Sequence, residues 1–582
     1  MTDWKYRIRM DMVAGVLLVM LAALAGRVVQ LHVGPNETLR RRIEQARRYE
    51  NRLPEPRGRI LDRHGNILAL DLAMKDVVAD PREVIASGHM RFIGMQLARV
   101  LQLDPAMVLA TLNQPRRRFE YIQKRVPEET AEQIRRMQLK GVRFDEVSAR
   151  HYPQGMLACH VIGFANLENM GSAGIEQRFH NYLRGQPGLR VSEKDGRRRE
   201  IYDRRVLDIP PQPGADIYLT LDQNLQYMVE KALAAAVAEH QAKGAWALVQ
   251  RVRTGEILAM ASLPGFDLNE FREAGDAQKL NRAIGYVYEP GSTFKVATIA
   301  AALNEQAVSP DDVFDCENGC WFFKGRPLRD FHPNGPLSVA DVLKKSSNIG
   351  AAKITLAMDE KTVERYLRAF GFGVPAGIEL PGEEGGLLND RSRWTSLSLS
   401  RIAMGHEIGV TALQMLNMLC SVANDGVRVR PTIVRRVVDA EGRLLMESRP
   451  DFVAQTIRPE TSALMRRLLV RVTEEGGTGT RAAVEGYTVA GKTGTAEKAI
   501  DGSYSSRANV SSFMGFLPAE DPDRIAIMVV IDEPQGTYRT GGVVAAPVFR
   551  EIASQAVRYL DIPPDVPAVA EEDRPPEPWR SL

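Results

Sequence analysis

A serine and a lysine lie three residues apart at the start of a predicted helix in the middle of the chain. Pro290 and Gly291 interrupt the preceding segment, and an alanine-rich run follows Lys295. Residues three apart share a helix face, which places the Lys295 amine beside the Ser292 hydroxyl. A serine hydroxyl is a weak nucleophile that needs an adjacent base, and a lysine serves as that base once burial or a nearby cation lowers its pKa. The pattern therefore predicts covalent serine catalysis, with the free N–H groups of the helix N-terminus stabilising an oxyanion.

A second group of polar residues follows a predicted helix at Val339–Lys345. Ser346 and Asn348 lie two residues apart in a Lys-Ser-Ser-Asn segment. A hydroxyl can relay a proton, and an amide can hold a substrate carbonyl group. The same tripeptide is also typical of a helix cap or a turn, and taken alone it favours that structural role.

A third segment contains Lys492, Thr493, Gly494 and Thr495 and follows a predicted strand at 487–490. The lysine and the two threonine hydroxyls suit a carboxylate ligand. Gly494 lets a ligand approach the strand backbone closely. The segment therefore predicts a carboxylate-binding strand.

Residues 486–493 also match the P-loop pattern of nucleotide-binding proteins. The intervening residues are strand-like, and no sustained helix follows them. Because the strand–loop–helix context of that motif is missing, the nucleotide interpretation is not favoured.

The composition narrows the class of protein. A chain of 582 residues predicts about two to four domains. Lys plus Arg number 76 and Asp plus Glu number 73, so the net charge gives no reason to expect a nucleic-acid partner. The short basic runs at 116–118 and 197–199 are interpreted as solvated faces.

The four cysteines are too few for a disulfide scaffold. Cys316 and Cys320 frame a short turn and can pair in an oxidising compartment. With His332 they can also be read as zinc ligands, but the sequence offers no evident fourth ligand. We expect no metal and no cofactor, and the pairing of the two cysteines stays open.

The N-terminus carries an export signal. Lys5, Arg7 and Arg9 precede an uncharged, apolar run, and a helix over 12–33 is long enough to span a membrane if Arg27 reaches the outer surface. The alternative is a cleaved signal peptide, with Ala-Leu-Ala at 23–25 as the cleavage site. Either interpretation places the bulk of the chain outside the cytoplasm.

The order of predicted elements indicates an α+β protein. A polar helical stalk is predicted at 40–48, a turn between two strands at 62–65, and a linker at 210–214. Beyond the linker, apolar runs at 245–250 and 256–261 predict a hairpin. Helical patterns follow, then strands at 511–516 and 525–531 and a closing helix at 549–560, which indicates one antiparallel sheet packed with helices.

The three motifs together resemble a known family. Ser-x-x-Lys, then Ser-x-Asn, then Lys-Thr-Gly is the signature of penicillin-binding proteins and serine β-lactamases, and the ordered set is far more specific than any one motif. Further segments are similar to class B penicillin-binding proteins, namely 57–65, 174–176, 195–196, 281–283, 289–295, 405–414 and 541–549. The chain is identified as a member of this class, most like the division-specific, septal transpeptidases.

Two departures from the family pattern are visible. Arg251 stands where the family commonly has an acid, and the pair Cys316 and Cys320 is not a general family feature. Neither departure touches a catalytic motif.

The resemblance implies the architecture. We expect an α+β chain with an N-terminal transmembrane helix, an extended pedestal domain of the dimerisation type, and a penicillin-binding transpeptidase domain whose five-stranded antiparallel sheet is flanked by helices. The expected boundaries are 1–11 for a cytoplasmic N-terminus, 12–33 for the anchor, 34–213 for the pedestal, 214–560 for the transpeptidase domain and 561–582 for a disordered tail.

The resemblance also implies roles for the motif residues in acylation. Ser292 attacks the D-Ala–D-Ala carbonyl of a stem pentapeptide, and Lys295 is the base. Ser346 passes the proton to the leaving D-Ala, and Asn348 positions the substrate. The acyl group then passes to an amine on a neighbouring strand.

The remaining motif residues are expected to hold the substrate. Lys492, Thr493, Gly494 and Thr495 bind or accommodate its carboxylate, and the N–H groups of Ser292 and Thr495 form the oxyanion hole. Lys492 is also expected to lower the pKa of Lys295.

The implied partners are the stem pentapeptide on a lipid-linked or nascent glycan, β-lactams, a membrane glycosyltransferase of the division machinery and other divisome proteins, without nucleic acid. The implied location is the cytoplasmic membrane at the septum, with the catalytic domain in the periplasm or outside the cell. The alternatives are an elongation- or sporulation-type transpeptidase, a D,D-carboxypeptidase or β-lactamase, and a β-lactam-sensing receptor.

Overall fold

The computed structural model describes residues 3–33, 41–42, 47–195, 200–500 and 503–566. The chain forms two compact units. One comprises Met1–Glu55 with Gln186–Gln212, and the other comprises Pro56–Gly185 with Pro213–Leu582. The tail beyond 566 and the arginine run at 197–199, both subjects of sequence predictions, lie outside the described residues.

The first unit contains one long helix and a small sheet. The helix Asp3–Val33 is apolar and long enough to cross a bilayer, and it includes the predicted anchor at 12–33. Strand Gly188–Lys194 pairs antiparallel with Arg48–Leu53, Glu200–Ile201 and Leu207–Ile209. Only part of the predicted stalk is described, and Arg48 begins a strand there because it pairs with Glu193.

The N-terminal part of the second unit is a sheet covered by short helices. Its strands are Ile60–Leu61, Ile67–Ala79, Glu120–Pro127 and Val142–His151, which form one seven-stranded sheet with Asp216–Leu219, Val434–Val438 and Leu444–Glu447 of the C-terminal part. Its helices are Pro81–Ala86, Met90–Leu101, Pro105–Leu112, Glu128–Arg136, Cys159–Ile162, Gly174–Arg178 and His180–Leu183. Helix Met90–Leu101 buries Ile93, Leu97 and Leu101, whose spacing of four residues places them on one face. The predicted turn at 62–65 forms, and Asp62 accepts hydrogen bonds from the N–H groups of His64 and Asn66.

Two family-like segments meet in a buried ion-pair network. The Arg57 guanidinium lies 2.6 Å from one Glu176 carboxylate oxygen, and the Arg150 guanidinium lies 2.5 Å from the other. Arg150 also contacts Asp71 at 3.1 Å. The segments at 57–65 and 174–176 thus converge through paired, buried charges.

The C-terminal part is built on a five-stranded antiparallel sheet. Its strands are Gly244–Arg251 (β1), Ile257–Leu263 (β2), Ala490–Ile500 (β3), Ser503–Leu517 (β4) and Ile525–Asp532 (β5), in the spatial order β2-β1-β5-β4-β3. The predicted hairpin forms as β1 and β2. Strand β3, which carries the Lys-Thr-Gly motif, lies at the edge.

Both faces of this sheet are covered by helices. The major helices are Gln223–His240 (α1), Lys295–Asn304 (α2), Val339–Lys345 (α3), Asn348–Thr355 (α4), Ala412–Ala423 (α5) and Gly541–Tyr559 (α6). Trp246 and Leu248 of β1 join the core with α2 and α5, whereas Ala245 and Ala247 join the core with α1 and α6. Burial of both faces explains why β1, β2 and β5 are almost continuously apolar.

The remaining strands and helices complete this part of the chain. The strands are Asp216–Leu219, Val313–Asp315, Cys320–Phe323, Arg326–Arg329, Pro336–Ser338, Leu387–Leu388, Ile408–Gly409, Val427–Val429, Val434–Val438, Leu444–Glu447 and Phe452–Gln455, and the helices are Asp276–Lys279, Arg282–Gly285, Glu360–Ala369, Ser398–Ile402 and Pro459–Val470.

Two predicted boundaries near the third motif are wrong. The strand expected at 487–490 is formed only by its last residue, and β3 instead runs over Ala490–Ile500, so the motif lies inside the strand. Pairing with β4 overrides the weak strand preference of Gly491 and Gly494. The closing helix begins at Gly541, eight residues earlier than predicted, and contains Pro547.

Candidate active site

Ser292 lies in a 3₁₀ turn, Gly291–Phe294, that leads directly into α2. Gly291 has a positive φ of 58°, and a Cβ there would meet the Thr495 carbonyl oxygen at 2.8 Å. Only glycine allows this approach without strain. The turn therefore packs directly against edge strand β3.

Lys295 is the first residue of α2 and is fully buried. Its Nζ lies 3.1 Å from the Ser292 hydroxyl oxygen. The same amine contacts the Ser346 carbonyl oxygen at 2.6 Å and the Asn348 Oδ1 at 2.8 Å. The structure thus brings the first two motifs together around one nitrogen atom.

The second motif is the junction between two helices. Ser346 ends α3 with a φ of +62°, and Ser347 caps α4 by accepting a hydrogen bond from the Gly350 N–H at 2.9 Å. Such left-handed geometry in a residue other than glycine stores strain that surrounding contacts must hold. The cap and turn expected as a structural role are therefore present, and the same turn directs Ser346 toward the lysines.

Lys492 is also fully buried, and its Nζ donates to the Ser346 hydroxyl oxygen at 2.8 Å. The Lys295 Nζ lies 3.3 Å from the same hydroxyl oxygen. Ser346 therefore lies between the two amines. Hydrogen bonds link the chain of groups from Ser292 through Lys295 and Ser346 to Lys492.

The threonines of the third motif have distinct partners. The Thr493 hydroxyl donates to the Thr478 hydroxyl at 2.9 Å, and the Thr495 hydroxyl accepts from the Gly541 N–H at 3.0 Å. A Cβ on Gly494 would lie 2.4 Å from the Ser512 hydroxyl and 2.9 Å from the Thr293 methyl group. Gly494 is therefore required by packing of the Ser292 turn on the strand, a reason that the sequence did not reveal.

The electrostatics of the two lysines depend first on burial. Burial lowers the pKa of Lys295 to about 7, while Asp330 and Cys316 act in the opposite direction. Burial also lowers the pKa of Lys492 well below its ordinary value, and the positive charge of Lys295 adds to that effect. The sequence left open whether burial or a neighbouring cation lowers the pKa of Lys295, and in the structure burial is the larger cause.

A buried amine with a pKa near neutrality can hold a lone pair toward a hydroxyl group. In the neutral form, Lys295 can donate to the Ser346 carbonyl and Asn348 Oδ1 and accept the Ser292 proton. This arrangement meets the geometric requirement for a nucleophile and its base.

Several neighbouring groups were not found from the sequence. Asp330 and Thr478 have no motif spacing relative to the three signatures, and they contact motif residues only through the fold. Gly541 begins the family-like segment 541–549, but its contact with Thr495 was not found from the sequence. Cys316 and Cys320 are free thiols, and Cys316 lies 3.3 Å from the Ser347 hydroxyl. Across the described ranges, no cluster of three or more potential metal ligands is present.

The fold and the serine–lysine arrangement define a class of serine acyl-transfer proteins. Residues 245–554 match the penicillin binding protein transpeptidase domain, and residues 52–219 match the penicillin-binding protein dimerisation domain. The chain therefore belongs to the class B penicillin-binding proteins, as the motif order predicted.

Individual relatives extend over most of the chain. The peptidoglycan D,D-transpeptidase FtsI of Escherichia coli is 32% identical over 96% of this chain and 92% of its own length. The stage V sporulation protein D of Bacillus subtilis is 34% identical over 87% of this chain and 79% of its own. The structure of penicillin binding protein 3 from Mycobacterium tuberculosis in complex with aztreonam has a TM-score of 0.68 and 26% identity, over 89% of this chain and 100% of that one.

Proposed function

We propose that this protein is a peptidoglycan D,D-transpeptidase that forms an acyl-enzyme at Ser292. The observation that carries the proposal is the 3.1 Å contact between the Ser292 hydroxyl and the fully buried Lys295 amine. Relatives named as transpeptidases over nearly the full chain support the reaction class.

Acylation begins when neutral Lys295 takes the Ser292 proton and the serine oxygen attacks the D-Ala–D-Ala carbonyl carbon. The C–N bond then breaks, Ser346 delivers its hydroxyl proton to the leaving D-Ala amine, and the Lys295 ammonium returns a proton to Ser346. Ser346 suits this step because its hydroxyl lies within 3.3 Å of both lysine amines. Asn348 holds the peptide, since its amide is already oriented by Lys295.

The substrate carboxylate binds at β3. Lys492 supplies positive charge when protonated, and the hydroxyls of Thr493 and Thr495 supply hydrogen bonds. Because β3 is an edge strand, an extended peptide can lie along it with backbone hydrogen bonds. The N–H groups of Ser292 and Thr495 are the proposed oxyanion hole.

An amine of a neighbouring stem peptide then attacks the acyl-enzyme, which forms the cross-link and frees Ser292. The dimerisation-domain match at 52–219 favours this outcome over simple hydrolysis, because a soluble hydrolase has no need of a pedestal. The same match disfavours a carboxypeptidase, a β-lactamase or a signalling receptor.

We further propose a septal role in cell division at the cytoplasmic membrane. The similarity to FtsI and the motif resemblance to the division branch support it, and the similarity to a sporulation protein keeps a sporulation role as the second candidate. Localisation of a tagged protein in dividing cells tests this. A uniform distribution over the lateral wall would contradict the septal role. The partner expected for a septal transpeptidase is a glycosyltransferase of the divisome.

The apolar helix Asp3–Val33 is proposed to be a retained single-pass anchor with the catalytic domain outside. N-terminal sequencing of the membrane fraction should begin at residue 1 or 2. A mature start at Gly26 would support the cleaved signal peptide instead.

Covalent labelling tests the proposed nucleophile. After benzylpenicillin treatment, intact-mass spectrometry should show one added drug mass, because the strained amide is attacked as an acyl donor. Ser292→Ala should abolish the adduct, and the exposed control Ser309→Ala should retain it. Labelling of Ser292→Ala would overturn the assignment.

A further inference from the structure

Asp330 lies immediately after strand Arg326–Arg329 and contacts the second motif with both carboxylate oxygens. Its Oδ1 accepts hydrogen bonds from the Asn348 N–H at 2.6 Å and the Ile349 N–H at 3.0 Å. Its Oδ2 accepts from the Ser347 hydroxyl at 2.6 Å and the Asn334 amide at 3.0 Å. One side chain thus caps the N-terminus of α4 and clamps the turn that contains Ser346.

The backbone before Asp330 orients the Asn348 side chain. The Arg329 carbonyl oxygen accepts a hydrogen bond from Asn348 Nδ2 at 2.8 Å. With Nδ2 held there, the amide oxygen faces the Lys295 amine at 2.8 Å. The position of the 329–330 segment therefore determines which way the amide of Asn348 points.

Three ionisable groups act on the charge of Lys295. Asp330 and Cys316 raise its pKa against the effect of burial. The charge of Lys295 lowers the pKa of Lys492, and because coulombic repulsion is mutual, a charged Lys492 also disfavours the ammonium form of Lys295. Asp330 is the carboxylate on this side of the site, while Lys492 is the cation on β3. The two side chains therefore act on Lys295 in opposite directions.

We propose that Asp330 is a positioning residue of the transpeptidase site. Its carboxylate holds the turn Ser346–Asn348 against Lys295, and its negative charge favours the protonated amine. The inference rests on the proposed acyl-transfer function and extends it to a residue outside the three signatures. Asp330 acts through Ser347, Asn348 and the Ile349 N–H without touching the reacting atoms.

Two substitutions separate geometry from charge. In Asp330→Asn, the amide oxygen can still accept the two backbone hydrogen bonds, and the amide N–H can donate to the Ser347 hydroxyl. The charge and the acceptor for the Asn334 amide are lost. In Asp330→Ala, the hydrogen bonds and the charge are all lost. Displacement of the turn should lower the second-order acylation rate by about ten- to a hundredfold, since small misplacements of reacting groups slow a reaction strongly. The rate is measured with a chromogenic β-lactam across pH, normalised to active sites.

The expected pH effect has a definite sign. Removing a negative charge lowers the pKa of Lys295, so the neutral base forms at lower pH. The rising limb of the acylation profile of Asp330→Asn should therefore move to lower pH. Asp312→Asn is a matched control on an exposed loop, where the Asp312 carboxylate accepts a hydrogen bond from the Ser309 N–H. The pH profile of its acylation rate should equal that of the wild type.

The outcomes are distinguishable. The inference about Asp330 would be overturned if both Asp330 variants acylated at the wild-type rate. It would also be overturned if the rising limb of the pH profile did not move in Asp330→Asn. Either result would leave the proposed function intact. Absence of a covalent adduct in the wild type would overturn the proposed function itself. Thermal denaturation of each variant shows whether a lost rate reflects lost folding.

Discussion

Buried charges occur in two regions of this protein with opposite arrangements. In the N-terminal part of the second unit, Arg57 and Arg150 flank Glu176, and Arg150 also meets Asp71. In the candidate active site, Lys295 and Lys492 are equally buried, but their hydrogen-bond partners are neutral oxygen atoms. The first arrangement pairs opposite charges, and the second places two like charges around one hydroxyl group.

The pKa values follow this difference. Burial by itself lowers the pKa of Arg150, but Glu176 and Asp71 outweigh it and raise the pKa. For Lys295 and Lys492 burial is not outweighed, and both pKa values fall. Paired charges therefore remain ionised and hold structure, whereas burial favours the neutral form of the unpaired amines and lets Lys295 exchange protons near neutral pH.

The largest expected effect comes from breaking the lysine pair. Lys492→Ala removes a carboxylate-binding cation and an acid–base partner, so the acylation rate should fall by about a hundred- to ten-thousandfold. A positive charge on Lys492 would repel the ammonium form of Lys295 and favour the neutral base. Without Lys492 that repulsion is lost and the pKa of Lys295 rises, so the rising limb of the pH profile should move to higher pH.

Lys492→Arg is the matched variant, because it keeps the charge but replaces a compact ammonium with a planar guanidinium. It should recover only part of the lost rate. The measurement is the second-order acylation rate with a chromogenic β-lactam across pH. If the limb stays in place while the rate falls, Lys492 binds the carboxylate only.

Breaking the paired network of Arg57, Arg150 and Glu176 should lower the free energy of unfolding and leave the acylation rate unchanged. Glu176→Ala leaves two buried guanidinium groups without their shared carboxylate, which should lower the free energy of unfolding by about 3–5 kcal/mol. Urea denaturation of the detergent-solubilised protein measures this. The acylation rate per active site should stay at the wild-type value.

Asp451→Ala is the control for the network, because it removes an exposed pair with Arg430 and should leave the denaturation midpoint unchanged within error. An equal loss in both variants would mean that burial of the Glu176 network has no special role in stability.

A smaller effect should appear in the pH dependence of stability. The pKa of Lys295 is about 7 in the folded protein, below that of an unfolded lysine, so the unfolded state binds more protons above pH 7. The contribution of Lys295 to the free energy of unfolding therefore increases with pH, by about 1–2 kcal/mol between pH 7 and 8.5. Lys295→Met should remove that rise, and Glu176→Gln should retain it. A slope in Lys295→Met equal to that of the wild type would contradict the buried-amine assignment.

Most of the architecture was predictable because hydrophobic patterns are local. The hairpin of β1 and β2, helix α3 and the strands near 511–516 and 525–531 all formed close to their predicted positions. The beginning of β3 was missed, because pairing with β4 extends a glycine-containing strand that has little intrinsic preference for that structure. The start of α6 was also missed, because Gly541 packs against the Gly494 and Ser512 backbone and no sequence pattern encodes that contact.

The sequence by itself determined which chemical groups are available and in what order, since a serine three residues before a lysine on one helix needs no tertiary information to be adjacent. It also determined the family, because three ordered motifs rarely occur together by chance. Only the tertiary structure decided that Ser346 lies between Lys295 and Lys492 and that Asp330 caps the turn beside them. These contacts join residues up to 146 positions apart, and the burial that lowers both lysine pKa values exists only when the sheet and its helices are packed.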